Sequence, residues 1–373
     1  MTAPAVHTYR SLDALRGVAA LGVVLFHSAF VVQGQGPVLE NASLFVDFFF
    51  VLSGFVMAHA YTARIARGGD LSGFVALRLG RLYPMHLLML VAWVVYYAAT
   101  LPPTDRAFGH HMAGILPHLT MLNSVGLQER LSLNYPTWSV GAEFWGSLLF
   151  FFVVAGLRQR FGAWTALALT LVCYAALLAD GAGTIQRSYD LGLVRCLGGF
   201  FLGVTLQCGL SARRDRPLGT GAEVTATGAA LVLLALPAGY LAVELATVAA
   251  FAGVVAVFAR SEGALSRVLQ ARLPVFLGRI SYSIYMVHAL IWLLAVDLAR
   301  LVRVPAEAAL LTHPVHKDQF FLLTPWAPMI NVFAVAIVIG VAALTYRYVE
   351  EPARQATRRW VRARPRTGLV PSG

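Results

Sequence analysis

Residues 11–28 read SLDALRGVAALGVVLFHS, and how this stretch is read decides the fold. Arg16 and His27 bracket ten apolar residues, GVAALGVVLF, at the start of a long hydrophobic run. Eleven helical steps of about 1.5 Å carry the histidine roughly 16 Å along the axis from the arginine. In a membrane helix this leaves Arg16 near one surface and His27 well inside the bilayer. Both residues are costly to hold there, so the pair suggests a site that takes a charged group at one face and moves protons at depth.

The rest of the chain has the same character. It has 373 residues, 58% of them apolar and only 13% charged, and a mean hydropathy of +0.69. That composition places it in the membrane class. Ten apolar spans are predicted, near 12–33, 43–61, 83–101, 137–157, 162–180, 191–210, 220–237, 239–259, 279–298 and 327–348. The expected fold is therefore all-α, a polytopic integral membrane bundle of about ten transmembrane helices. No polar stretch exceeds about forty residues, too short for a separate soluble domain. The domain division is one transmembrane unit over 1–355 and a basic tail over 356–373, whose last residues, GLVPSG, resemble a linker or protease-site remnant. The first segment lacks a small-residue cleavage site and reads as a retained span, not a signal peptide. Cys173, Cys196 and Cys208 lie in apolar segments and read as core residues, with no metal set.

The net charge of +11 is distributed by side. With the N-terminus in the cytoplasm, 22 of the 29 Lys and Arg lie at or near the cytoplasmic face; Arg106, Arg130, Arg187, Arg195, Arg300, Arg303 and Lys317 do not. This positive-inside bias puts both termini in the cytoplasm and the chain in the inner (plasma) membrane as a multi-pass protein. The basic tail then serves as a topology anchor touching anionic lipid. No folded basic module is present to bind nucleic acid.

Depth sorts the titratable residues. His27 falls about five residues from the outer end of the first span, Asp47 about four below the outer face, and Glu143 five or six down the fourth span. Three such groups at one level suit general-base catalysis, with an imidazole taking a hydroxyl proton and a carboxylate fixing its tautomer. Glu143 or Asp47 can fill the second role. Asp47 has an alternative as a carboxylate at the start of helix two, where the helix dipole favours it. On the cytoplasmic side Arg78 and Arg81 share a helix face, and Pro84 suits the first turn of the next span. With Arg16 they suit a phosphate or pyrophosphate, or equally a topology anchor. In the ninth span Ser281, Tyr285 and His288 form a polar stripe, either a channel lining or interhelical bonding groups. His59, His86, His110, His111, His118, His313 and His316 read as surface residues without a convincing metal set.

Six motifs stand in one order: SLDALRGVAALGVVLFHS from Ser11, VDFFFVLSGFVMA from Val46, RLGR from Arg78 with Tyr83-Pro84, TWSVGAE from Thr137, LGRISYSIYMVH from Leu277, and YRYVEEPAR from Tyr346. Together they resemble acyltransferase family 3, multi-span O-acyltransferases of sugars, polysaccharides and small natural products, over about residues 8 to 355. The resemblance implies that His27 is essential for transfer. It also implies that Arg78 and Arg81 serve the acyl-CoA donor, and that Glu143 is the acidic residue of the W-S-L-x-x-E segment, with Val140 in place of leucine. Relatives often carry a C-terminal hydrolase-like domain, expected here to be absent or separate.

On that resemblance the expected activity moves an acyl group, most simply acetyl, from cytoplasmic acyl-CoA to a hydroxyl of a carbohydrate or glycolipid. The catalytic set is His27, Glu143 and Asp47, and the donor-binding set Arg16, Arg78, Arg81, Tyr83, Tyr285 and His288, with acyl-CoA as co-substrate and no metal. A roughly 16 Å separation along the first helix is comparable with the pantetheine arm. Direct transfer is the simpler route, and a relay through Ser139 or Ser53 is the alternative. The rival classes are a glycan or lipid transporter or flippase and a non-catalytic scaffold.

Overall fold

A run of about twenty apolar residues inside a bilayer must satisfy its own backbone, so each expected span should fold as a helix. The computed structural model describes residues 9–28, 30–31, 37–211, 217–304, 307–311 and 319–364. Among the described residues ten long helices follow one another: α1 (Arg10–Phe26), α2 (Phe45–Ala66), α3 (Leu71–Thr100), α4 (Trp138–Leu157), α5 (Ala163–Ala179), α6 (Gly192–Ser211), α7 (Thr220–Leu234), α8 (Leu241–Phe258), α9 (Ser281–Leu301) and α10 (Ala327–Thr345). Seven of them, some with adjoining turns, are long and apolar enough to cross a membrane, and α5 and α7 are shorter apolar helices. The helix α1 differs because its first half carries Arg10, Asp13 and Arg16. Large apolar side chains such as Val91, Val95, Leu171, Val172, Val232 and Phe333 point outward from the bundle. In water such a surface would aggregate; in lipid it is the expected exterior. The chain is a multi-pass membrane protein with an all-α bundle.

Several boundaries differ from the sequence expectation. The helix α1 stops at Phe26, before the expected residue 33, so His27 caps its C-terminal end. The reading of Pro84 as a first-turn residue is corrected. The helix α3 starts at Leu71, and Pro84 lies inside its 30 residues. At about 1.5 Å per residue this helix outruns a hydrocarbon layer of about 30 Å, so one continuous rod carries both the Arg78-Arg81 face and the apolar span. The connections also hold structure that the hydropathy pattern does not reveal. Helices Arg106–Ala113 and Ile115–Leu119 separate α3 from α4, and Ala264–Leu269 and Arg272–Arg279 lead into α9. Short strands β1 (Phe30–Val31), β2 (Glu307–Leu311) and β3 (Gln319–Leu323) form a sheet of order β1-β3-β2. In it β3 runs parallel to β1 and antiparallel to β2. After α10 the chain passes through a π-helical turn, Tyr346–Glu350, into a last helix, Glu351–Ala363, which packs against α3. A boundary after residue 355 therefore falls within that helix.

The helix α2 organises the core. Val46 and Phe50 join a cluster with α1, α3, α4, α9 and α10. Phe48, Leu52 and Phe55 join a second cluster with α7 and α8, and Met57 and Ala58 a third with α4, α5 and α6. Its contact with α6 depends on two small residues. A Cβ on Gly54 would lie 1.8 Å from the Phe200 carbonyl oxygen, and one on Gly203 would lie 1.9 Å from that of Val51. Backbone on both sides leaves no flexible neighbour to yield, so the helices touch main chain to main chain. We expect Gly203→Ala and Gly54→Ala each to destabilise the bundle by about 1–3 kcal/mol through overpacking. Thermal melting of the detergent-solubilised protein, followed by its monodisperse elution peak, checks this; unchanged melting would contradict the contact.

Candidate active site

Polar residues of α2, α3 and α4 meet at one carboxylate. Arg78 on α3 is buried and donates from Nη2 to Glu143 Oε1 at 2.6 Å. Ser53 on α2 donates to the same oxygen at 2.8 Å. The other terminal nitrogen of Arg78 lies 3.8 Å from Met57 Sδ, and its Nε is buried with no hydrogen-bond partner. Arg16, Arg81, Glu143 and Glu350 stand within electrostatic reach of one another. Arg16 also faces Asp13 at 3.7 Å. Glu350 is buried in the π-helical turn and accepts a hydrogen bond from Ser283 on α9 at 2.8 Å. Three arginines with two carboxylates, Glu350 buried and Glu143 partly exposed, give a nearly balanced cluster, the condition under which charges survive desolvation.

His27 meets a different set of groups. Its Nδ1 lies 3.1 Å from Nε2 of His288, whose Nδ1 bonds the Tyr285 carbonyl at 2.7 Å. Tyr135 stands edge-on to the His27 ring, with centroids 5.2 Å apart. The expectation that Glu143 or Asp47 holds the second nitrogen of His27 is corrected, because each is engaged by an arginine. Asp47 accepts from Arg195 through both oxygens, at 3.0 and 2.6 Å. It lies in the first turn of α2, where the helix dipole favours a carboxylate, but makes no side-chain cap hydrogen bond. The Arg195 guanidinium also lies 5.4 Å from the Trp138 ring centre. Of the tyrosines assigned to the donor, Tyr83 bonds the Leu119 carbonyl at 3.1 Å. Tyr285 bonds the Pro136 carbonyl at 2.9 Å and Ser139 at 2.7 Å.

Glu350 and Arg195 are the polar residues that sequence reasoning missed. A lone arginine in the apolar stretch Leu193-Val-Arg195-Cys-Leu was a signal, since an ionisable residue within a span marks a site or a partner. Glu350 lies at the apolar-to-basic change before Pro352, and the π-helical turn that aims it has no sequence signature. The surface reading of His86 and His118 is also corrected, because both are buried. His86 Nε2 donates to the His118 carbonyl at 2.8 Å and His118 Nδ1 to the Gly114 carbonyl at 2.8 Å. His313 and His316 lie outside the described residues.

With this geometry in view, a family model described as an acyltransferase domain matches residues 9–345. The chain belongs to acyltransferase family 3. It is a membrane acyltransferase. "Protein 2 in picA locus" of Rhizobium radiobacter is 34% identical over 168 residues, covering 41% of this chain and 81% of that protein. "Acyltransferase MdmB" of Streptomyces mycarofaciens is 33% identical over 153 residues, covering 38% of each chain. The match to MdmB thus spans well under half of that relative. No solved structure matches.

Two outcomes follow from the buried charges. Removing one member of a buried pair strands the other, at a cost of about 3–5 kcal/mol, whereas an apolar replacement of both is far milder. Arg195→Met alone should therefore lower the melting temperature more than Arg195→Met combined with Asp47→Leu; equal melting would argue against the pair. His118 is pushed down to about 4, mainly by burial, with the Gly114 carbonyl opposing and His86 adding to the depression. Between that value and the ordinary 6.5 the unfolded chain binds the extra proton. Stability is therefore greatest above pH 6.5 and falls as pH drops toward 4. The loss of melting temperature between pH 7 and pH 5 should shrink in His118→Asn.

Proposed function

We propose that this acyltransferase moves an acetyl group from cytoplasmic acetyl-CoA to a hydroxyl of a carbohydrate or glycolipid reached from the outer side of the inner membrane. His27 serves as general base. The observation that carries the reading is the arrangement along α1: arginines gather near its first half, and a histidine caps its far end. Both termini are cytoplasmic in this reading, which follows from the Lys and Arg distribution.

The donor fits the cationic end by its chemistry. A nucleotide 3′-phosphate and a pyrophosphate call for planar, permanently charged donors. Arg81 makes no hydrogen bond or ion pair with another described residue, and Arg78 keeps an unpaired Nε. The carboxylates Glu143 and Glu350 hold these cations in the bundle, and the phosphates would bind the guanidinium groups directly. In the reaction His27 Nε2 removes the acceptor hydroxyl proton as the oxygen attacks the thioester carbonyl. The C–S bond then breaks and the proton passes from Nε2 to the departing thiolate. The end of α1 assists, because a helix C-terminus stabilises the imidazolium formed in between. Tyr83 and Tyr285 contribute by fixing the backbone around the acceptor side through the carbonyls they bond. Ser53, committed to Glu143, makes a poor acyl carrier, so direct transfer is the route we favour.

Purified protein in lipid nanodiscs, incubated with radiolabelled acetyl-CoA and a panel of glycans and glycolipids, tests the reading. His27→Ala should lower transfer by about 10²–10⁴-fold, the usual value of a general base, with acetyl-CoA affinity retained. Arg81→Ala should weaken acetyl-CoA binding by about 10–100-fold, as expected for a lost hydrogen bond to a charged group. Absence of acetyl-CoA binding, or full transfer by the His27 variant, would reject the reading.

A further inference from the structure

His288 is fully buried on α9, and its two ring nitrogens meet groups of different kinds. Nδ1 lies 2.7 Å from the Tyr285 carbonyl oxygen, and Nε2 lies 3.1 Å from His27 Nδ1. A carbonyl oxygen can only accept, so the His288 proton sits on Nδ1. Among the described residues no carboxylate forms an ion pair with the His288 ring, and an imidazole buried this deeply is neutral. Its Nε2 therefore carries a lone pair and must accept. The hydrogen between the two rings then belongs to His27 Nδ1. In a neutral imidazole one nitrogen holds the proton and the other the lone pair, so the basic nitrogen of His27 is Nε2.

We propose that His288 is a positioning residue, which holds His27 in its Nδ1–H tautomer and presents Nε2 as the base. This rests on the reading of His27 as the general base. The role is the one a carboxylate plays in hydrolytic triads, where the partner of the imidazole fixes its tautomer and orientation. Here both candidate carboxylates are spoken for: Asp47 by Arg195 and Glu143 by Arg78. A second neutral histidine fills the position, itself held by a backbone carbonyl that cannot change its protonation.

Neighbouring rings keep the geometry from drifting. Phe26 packs against His27 from one direction and Tyr135 from another, with centroids 4.9 and 5.2 Å away. His288 also contacts the Tyr285 ring at 5.6 Å. When His27 takes a proton at Nε2, the O–H bond of the acceptor breaks and an N–H bond forms. The Nδ1–H remains donated to His288 throughout, so the positive charge is spread toward the second ring. After the thioester C–S bond breaks, the Nε2 proton leaves with the thiolate and the starting tautomer returns. The relay is closed: His288 ends each cycle as it began.

The tautomer can be read without turnover. Ring nitrogen resonances of His27, in full-length protein labelled with ¹⁵N-histidine in nanodiscs and assigned by their loss in His27→Gln, should show a protonated Nδ1 and a bare Nε2. His288→Gln, whose amide oxygen can accept, should keep that state. His288→Phe fills the ring volume without an acceptor. It should shift His27 toward Nε2–H and lower acetyl transfer by about 100-fold. A protonated Nε2 in the wild-type protein, or a tautomer unmoved by His288→Phe, overturns the proposal, and the wild-type spectrum decides even if a variant fails to fold. Retained transfer in His27→Ala would instead reject the base assignment while leaving the tautomer measurement intact, so the two failures are distinct.

Discussion

A carboxylate among apolar helices persists only where its charge is met, and Glu143 is met twice at one oxygen, by Arg78 and by Ser53. Those two bonds tie α2, α3 and α4 together at one point. The same constraint recurs where Asp47 meets Arg195 and joins α2 to α6. It recurs again where Ser283 of α9 reaches Glu350 beyond α10. In lipid the hydrophobic effect does not bring helices together, so backbone contact and polar bonds of this kind must set their positions. The main-chain contact through Gly54 and Gly203 complements the ion pairs on the same central helix.

The chemistry follows from this arrangement. Charge held near the first half of α1 can receive an anionic donor, and the imidazole at the helix end can perform proton transfer some distance away. In the proposed reaction the carboxylates are bound to arginines, and the base relies on a neutral neighbour. That separation is physically sensible. A carboxylate beside His27 would bring a second charge to an apolar depth, whereas a buried neutral His288 adds none.

Much of the site was legible in one dimension. Ten apolar runs implied ten helices, and motif order pointed to the acyltransferase family that the chain belongs to. Depth singles out His27 and Glu143 as candidates, whereas the donor role of Arg16, Arg78 and Arg81 rests on the family resemblance, since their spacing suits a topology anchor equally well. The errors share a cause. Equal depth makes Glu143 or Asp47 a candidate partner of His27, but helix rotation about its own axis decides which groups face each other, and both carboxylates face arginines. Pro84 was taken for a helix start because proline favours that position; here the preceding residues are held in helix by packing against the final helix. His86 and His118 flank a span and so read as surface residues, yet His118 lies on the short helix Ile115–Leu119, its backbone carbonyl meets His86, and both are buried.

The sequence by itself determined the class, the number of helices and the types of charged groups available, because hydropathy and the cost of burying charge act residue by residue along the chain. Partner choice was decided only in three dimensions. That Glu143 binds Arg78, Asp47 binds Arg195, and His27 binds His288 depends on the packing angles and rotations of separate helices. The ten residues between Arg16 and His27 specify a length along one helix. Which groups surround each end is a property of the bundle.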